Sequence, residues 1–215
     1  MPRAEEELTR TAYDTVADAY ADRIRGTEPE QAIDVAMIDL FASLLPEPRL
    51  VLDAGCGPGR MLPYLAGLGC DVEGVDLSPR MAARAQHDHP QFPVRVMSLT
   101  DLEHPDDHFD GVFSWYSTIH NPDEDVDRMV AEMARVLRPE GLLLLAFQTG
   151  QGMRRVGKDF QAMGYDVVMN RYHRRVGQVA EVIERHGSGL VATLDREPMG
   201  TEPDGQAVLI ARHRS

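Results

Sequence analysis

Two cysteines, one tryptophan and 6% aromatic residues are thin material for 215 residues, and each shortage excludes something. Cys56 lies inside a glycine-rich stretch and Cys70 just ahead of an apolar segment. Both read as reduced small residues, and no spacing suggests a disulfide framework or a zinc site. Positive charge is also short. Lys and Arg total 22 against 35 Asp and Glu, a formal net charge of -13, which argues against a large basic nucleic-acid footprint. No apolar run reaches the length of a membrane span. Met1-Pro2-Arg3 followed by Glu5-Glu6-Glu7 lacks the character of a secretory leader, so the expected setting is cytoplasmic. The length suits one sizeable core and divides poorly into two, so residues 1–215 are expected to form a single domain. No repeat or long linker appears.

What is present is concentrated in Val51-Leu52-Asp53-Ala54-Gly55-Cys56-Gly57-Pro58-Gly59. An apolar run ends in an acid, followed by glycine at every second position. That pattern is a buried strand running into a tight turn where backbone approaches a ligand. The helix expected over Met61–Leu68 would point its free N–H groups into the crevice at the strand's carboxyl end. A dinucleotide loop needs G-x-G-x-x-G, but Arg60 stands at the third glycine position. A P-loop needs G-x-x-x-x-G-K-[ST], and no such run exists. Asp53 is poor company for phosphate and good company for a cationic ligand.

An acid followed by G-x-G-x-G after the first strand resembles the Rossmann-like, class I S-adenosylmethionine-dependent methyltransferases, and Asp53, Gly55, Gly57 and Gly59 match that pattern in full. Further stretches carry the same resemblance. Asp71–Asp76 reads as the second strand, and Asp76 at its end suits a ribose diol. Ser78-Pro79 reads as cap and first turn of the next helix. Trp115-Tyr116-Ser117-Thr118-Ile119-His120, after a strand over Phe109–Trp115, is similar to a segment of small bacterial methyltransferases. Arg135-Val136-Leu137-Arg138-Pro139 with Gly141-Leu142-Leu143 is similar to the family's late helix-turn-strand passage. Tyr13-Asp14, Ala17 and Tyr20 match its N-terminal helix.

The resemblance implies a doubly wound α/β fold with a mostly parallel seven-stranded sheet and an antiparallel C-terminal strand. It implies S-adenosylmethionine as cofactor, held by Tyr20, Asp53, Gly55, Cys56, Gly57, Gly59, Asp76, Leu77, Ser98, Leu99 and Trp115. Many relatives carry an acid where Ser98 stands; Asp101, three residues on, reads either as a late adenine ligand or as a turn residue. His120 and Tyr116 are the expected catalytic groups, acting on an oxygen or nitrogen of a small-molecule acceptor. No metal is expected, since His104 and His108 sit in a run of turn composition. Residues 1–30 are expected to form a helical cover, with Tyr13 lining the pocket beside Tyr20 and Gln148 closing one side. The protein is expected to act as a monomer or homodimer without nucleic acid or membrane. An NAD-binding oxidoreductase and a non-catalytic nucleotide-binding protein are the competing readings.

The remaining segments are read from periodicity. Helices are expected over Thr9–Ile24, Ala32–Leu45, a stretch from Pro122 to Leu137, and Val176–His186. Strands are expected over Phe92–Met97, Leu142–Phe147 and Tyr165–Met169, with a hairpin from Leu190–Leu194 and Ala207–Ala211. Met153–Met163 is too irregular to assign and reads as a mobile substrate cover.

Overall fold

The computed structural model describes residues 4–214. Among these described residues nine strands run in chain order: β1 (Leu50–Ala54), β2 (Asp71–Asp76), β3 (Val94–Val96), β4 (Phe109–Trp115), β5 (Leu137–Gln148), β6 (Gly152–Val156), β7 (Met169–His173), β8 (Ser188–Arg196) and β9 (Gln206–His213). The helices are α1 (Ala4–Arg23), α2 (Ala32–Leu44), α3 (Leu62–Gly67), α4 (Pro79–Asp88), α5 (Asp123–Arg135), α6 (Lys158–Ala162) and α7 (Val176–Arg185).

Seven strands form one sheet in the order β3-β2-β1-β4-β5-β9-β8. Every pairing from β3 to β5 is parallel, whereas β9 runs antiparallel to both β5 and β8. The expected doubly wound sheet with its reversed C-terminal strand is therefore borne out. Strand order reverses between β1 and β4, which opens a crevice beyond their carboxyl ends.

Sequence alternation explains the two layers around the sheet. Leu142, Leu144 and Ala146 of β5 face one side, packing with Ile38 and Phe41 of α2 and Leu62 and Leu65 of α3. Leu143, Leu145 and Phe147 face the other, packing with Met129 and Met133 of α5 and Ile183 of α7. A strand covered on both faces reads as a continuous apolar run, as this one does. At the start of α4, Ser78 accepts a bond from the Met81 N–H at 3.1 Å, the cap its sequence announces.

Several boundaries differ from the sequence reading: α1 begins at Ala4 and not at Thr9, and β8 spans Ser188–Arg196 and not only Leu190–Leu194. The helix α5 stops at Arg135, and β5 already begins at Leu137, pairing with Phe109 before a register shift realigns Gly111 with Leu142. The strand placed over Tyr165–Met169 instead spans Met169–His173. The strand β3 is shorter than Phe92–Met97. Met153–Met163 is not irregular: it supplies most of β6 and all of α6, and β6 pairs antiparallel with β7. These short elements lack a long apolar period because they gain their packing from α1. Ala12 and Val16 of α1 meet Val167 and Met169 in a small separate core, with Tyr20 and Phe160 at its edge.

A buried ion cluster ties α2 to the end of β8. Arg196 reaches Asp34 through Nε at 2.8 Å and through a second nitrogen at 2.5 Å, and also bonds both Glu202 oxygens. Asp34 is only 1% exposed. Removing the cation would strand that carboxylate, so Arg196→Ala is expected to lower stability by about 3–5 kcal/mol in urea unfolding, and Arg196→Lys to recover only part of it.

Candidate active site

The crevice at the strand switch point holds a cavity of about 790 Å³. Its floor comes from the ends of β1, β2 and β4, and its roof from α1 and the β6–α6–β7 segment. That volume lies in the range of small-molecule and cofactor sites.

Asp53 is the penultimate residue of β1 and is 2% exposed. Its Oδ2 is buried without a hydrogen-bond partner. Burial above all, and then the Asp76 charge, push its pKa up to about 8, against the opposing pull of Arg60. A buried carboxyl with an empty acceptor position favours a donor or cation arriving from the cavity. Beyond it the chain turns sharply. The N–H groups of Gly55 and Cys56 both donate to the Val75 carbonyl, at 2.8 and 2.9 Å. Gly55 has φ of +86°, and a Cβ there would lie 2.3 Å from that of Ser117. Glycine is thus required both for the turn and for the approach of β4's end.

Asp76, at the end of β2, accepts the Gly57 N–H and the Ser78 N–H, each at 2.8 Å. One bond falls on each carboxylate oxygen, leaving further lone pairs on both. Burial raises its pKa to about 6 while the two N–H groups hold it down. Leu77, Cys56 and Gly57 line the same wall. Gly59 does not. A Cβ at Gly59 would meet Leu62, Ala85 and His89 at 3.0–3.1 Å, so this glycine serves the packing of the loop on α4. Ser98 and Leu99 line the cavity, but the Ser98 hydroxyl is already bonded to Thr100 Oγ1 at 2.8 Å and accepts the Thr100 N–H. Asp101 is exposed and its N–H closes a turn on the Ser98 carbonyl at 3.2 Å.

Trp115 ends β4, 7% exposed, its ring stacked on Phe113 at 5.6 Å and its Nε1 buried without a partner. Tyr116 follows with φ of +58°, a left-handed conformation that a bulky side chain rarely adopts. That turn keeps two consecutive aromatics at the cavity.

His120 is 4% exposed, its Nδ1 lying 2.6 Å from the Asn170 carbonyl of β7. That contact assigns the proton to Nδ1 and leaves Nε2 as an acceptor, with no hydrogen-bond partner among the described residues. Burial lowers its pKa to about 4; the Asn170 bond opposes the fall, and the Arg171 charge adds to it. Tyr13 packs edge-on against the imidazole at 5.6 Å and against Tyr20 at 6.0 Å.

Several cavity residues were not legible from the motifs. Arg60, noted only as an absent glycine, bonds the Gly26 carbonyl and Glu30, each at 2.7 Å, and so fastens the loop after α1 to the glycine turn. Outside the lining, Asp14 of the N-terminal motif accepts the Ser78 hydroxyl at 2.6 Å, fixing α1 over α4. Arg154, Arg155, Lys158 and Arg171 line the roof. Among the described residues no cluster of three His, Cys, Asp or Glu could hold a metal. No helix among them is long and apolar enough to cross a membrane.

Residues 51–141 match a family model described as a methyltransferase domain. A curated relative, Methyltransferase GfsG of Streptomyces halstedii, is 30% identical over 75% of this chain and 60% of its own length. The chain spans about half to two thirds of the length of the curated relatives it matches. Among solved structures it is similar to a 1,6-didemethyltoxoflavin-N1-methyltransferase of Burkholderia thailandensis that holds its didemethyltoxoflavin and S-adenosylhomocysteine. The TM-score is 0.72 at 20% identity, covering 100% of this chain and 92% of that one. A cyclase, SpnF, is similar at TM-score 0.72 and 18% identity, with 100% and 98% covered. Likeness at such identities concerns the fold.

The His120 site sets a pH dependence. Its folded pKa lies below the unfolded value of about 6.5, so the unfolded chain takes up the proton first on acidification. This residue's contribution to stability is full above about pH 6.5 and declines as pH falls toward 4. A titration followed by the His120 ring resonances should show a midpoint near pH 4, and His120→Gln should flatten that part of the stability profile.

Proposed function

We propose that the chain is a class I S-adenosylmethionine-dependent methyltransferase that transfers a methyl group to an oxygen or nitrogen of a small-molecule acceptor, a reading supported by the match of residues 51–141 to a methyltransferase domain. One observation carries the reading: the buried, unpartnered Asp53 oxygen at the glycine turn. It fits a ligand with cationic character, and the neighbouring Asp76 keeps acceptor capacity for a diol. On this reading Asp53 and the Gly55–Gly57 backbone meet the methionine end of S-adenosylmethionine, and Asp76 the ribose. Leu77, Ser98 and Leu99 flank the adenine, with Tyr20 and Trp115 closing the sides. The cofactor supplies an electrophilic methyl group.

The chain's own groups orient the acceptor, exclude water and receive a proton. Tyr13, Tyr116 and His120 shape the acceptor side of the cavity. His120 stays neutral through the physiological range, and its free Nε2 can accept the hydrogen of an acceptor hydroxyl and take the proton as the new bond forms. A neutral amine acceptor needs only orientation by the same atom. Of the expected cover over residues 1–30, residues 1–3 lie outside the described residues; residues 4–30 serve as the cover, since Asp14 and Arg60 fasten the helix and its following loop to the cofactor walls. The acidic composition supports action without nucleic acid and the two free cysteines support a cytoplasmic setting; a monomer or homodimer completes the proposal.

An NAD-dependent oxidoreductase is disfavoured because Arg60 fills the third glycine position with a guanidinium already bonded to Gly26 and Glu30. Calorimetry should find binding of S-adenosylmethionine and S-adenosylhomocysteine and none of NAD. The reverse selectivity would overturn the proposal, and binding without turnover across an acceptor panel would leave a non-catalytic protein. Asp76→Ala should weaken cofactor binding by roughly 1.5–3 kcal/mol in a folded protein.

Asp53 gives a second test. Its pKa near 8 means that a ligand preferring the ionised form displaces a proton at lower pH. Binding of S-adenosylmethionine should therefore release a proton at pH below about 8, read as a buffer-dependent enthalpy, and Asp53→Asn should abolish that release.

A further inference from the structure

The β6–α6–β7 roof brings Arg154, Arg155, Lys158 and Arg171 to the cavity, with Glu6 and Asp159 the carboxylates beside them in the lining. Arg154 and Arg171 stand directly across from each other in the β6–β7 ladder, a pairing that like charges disfavour. One carboxylate answers both: Asp204 takes Arg154 at 2.5 Å and Arg171 at 3.4 Å. The answer is incomplete. The Arg171 Nε is buried without a hydrogen-bond partner. Arg155 and Lys158, the single lysine of the sequence, line the same cavity with no ion-pair partner among the described residues. The two other lining cations are paired: Arg23 has Asp159 at 4.0 Å and Arg60 has Glu30 at 2.7 Å.

This cationic end adjoins the cofactor walls at Tyr13. Asp53 feels the charges of Arg60 and Asp76, Tyr13 feels both Asp76 and Arg171, and His120 feels Arg171. Arg171 follows Asn170, the residue whose carbonyl holds His120. An anion seated on Arg171 would therefore present the rest of its molecule to the His120 side of the cavity. Guanidinium groups suit carboxylate and phosphate oxygens because their planar donors match those acceptors.

Building on the methyl-transfer reading, we infer that the acceptor carries an oxyanion, a carboxylate or a phosphate monoester, which Arg171 binds with help from Arg155 and Lys158. Arg171 then positions the acceptor, and the anion completes a charge cluster that Asp204 alone leaves short.

The test uses the whole protein saturated with S-adenosylhomocysteine, so that the cofactor's own carboxylate site is filled. Four probes are titrated: para-hydroxybenzoate and its methyl ester, and phenyl phosphate and phenol. Calorimetry and the fluorescence of Trp115, the chain's single tryptophan, read the binding. At least one anion should bind roughly tenfold or more tightly than its neutral twin. Arg171→Gln and, on the exposed side, Arg155→Gln should each erode that preference without changing affinity for S-adenosylhomocysteine. Asp204→Asn, which removes the competing carboxylate, should strengthen it. The carboxylate and phosphate arms tell the two sources apart. Equal or tighter binding of the neutral twins, no binding by either anion, or a preference untouched in both arginine variants overturns the inference. The same titrations on cofactor-free protein keep it separable: failure to bind S-adenosylhomocysteine counts against methyl transfer, while the anion comparison still decides the acceptor class.

Discussion

A carboxylate held almost fully out of water, with one oxygen unanswered, is the constraint around which the rest is arranged. Asp53 sits at the end of a strand that is paired on both sides and covered on both faces, so it cannot retreat to solvent. Burying such a group is unfavourable unless something compensates. Here the protein compensates in part, by raising the proton affinity of Asp53 and by stationing Arg60 nearby. The remainder is left to a ligand. The glycine turn makes that economical, because backbone without side chains lets a ligand approach the carboxylate closely.

The roof follows from the same logic of shared fastenings. The helix α1 reaches the cofactor side through Asp14 on Ser78, and the acceptor side through Glu5, whose two oxygens take the Asn170 amide at 3.1 Å. The carbonyl of that same Asn170 fixes the His120 tautomer. The His120 side, the Asp76 side and the roof thus share one helix, and displacement of α1 would disturb all three together. Most of these bonds are part-buried, where they are stronger than on an open surface.

The sheet was legible in the sequence because its strands obey strong local rules. Leu142–Phe147 is apolar throughout and is buried on both faces; Ser78-Pro79 is a cap chemically and proves to be one. The glycine turn was legible because few other functions need an acid before alternating glycines. The roof was not. The β6–β7 pair is two strands of five residues with mostly polar or half-buried positions, so neither period two nor a long apolar run marks it. Its stability comes from α1, more than a hundred residues away in the chain, and contacts at that separation leave no local pattern. Arg60 shows another limit. Its absence of glycine was informative about which ligand to reject, but its positive role depends on Gly26 and Glu30, which only the fold brings near. Gly59 matched a motif and yet lies against α4, since a pattern specifies residue type without specifying which side of the turn each residue faces.

The reversal of β9 has a consequence for how such a protein can diversify. Because β9 starts where β5 ends, with Gln206 beside Gln148, the hairpin turn from β8 returns to the ligand edge of the sheet. Pro203 and Asp204 arrive there from a surface loop, as do the roof arginines from the segment after β5. The parallel half of the sheet supplies the cofactor end through short turns locked into the core. The two ends therefore differ in tolerance to insertion and exchange. On the proposed reading, lengthening or recharging residues 197–205 would alter the acceptor end while Asp53, Asp76 and the glycine turn stayed in place, so the two ends of the crevice can change independently of each other.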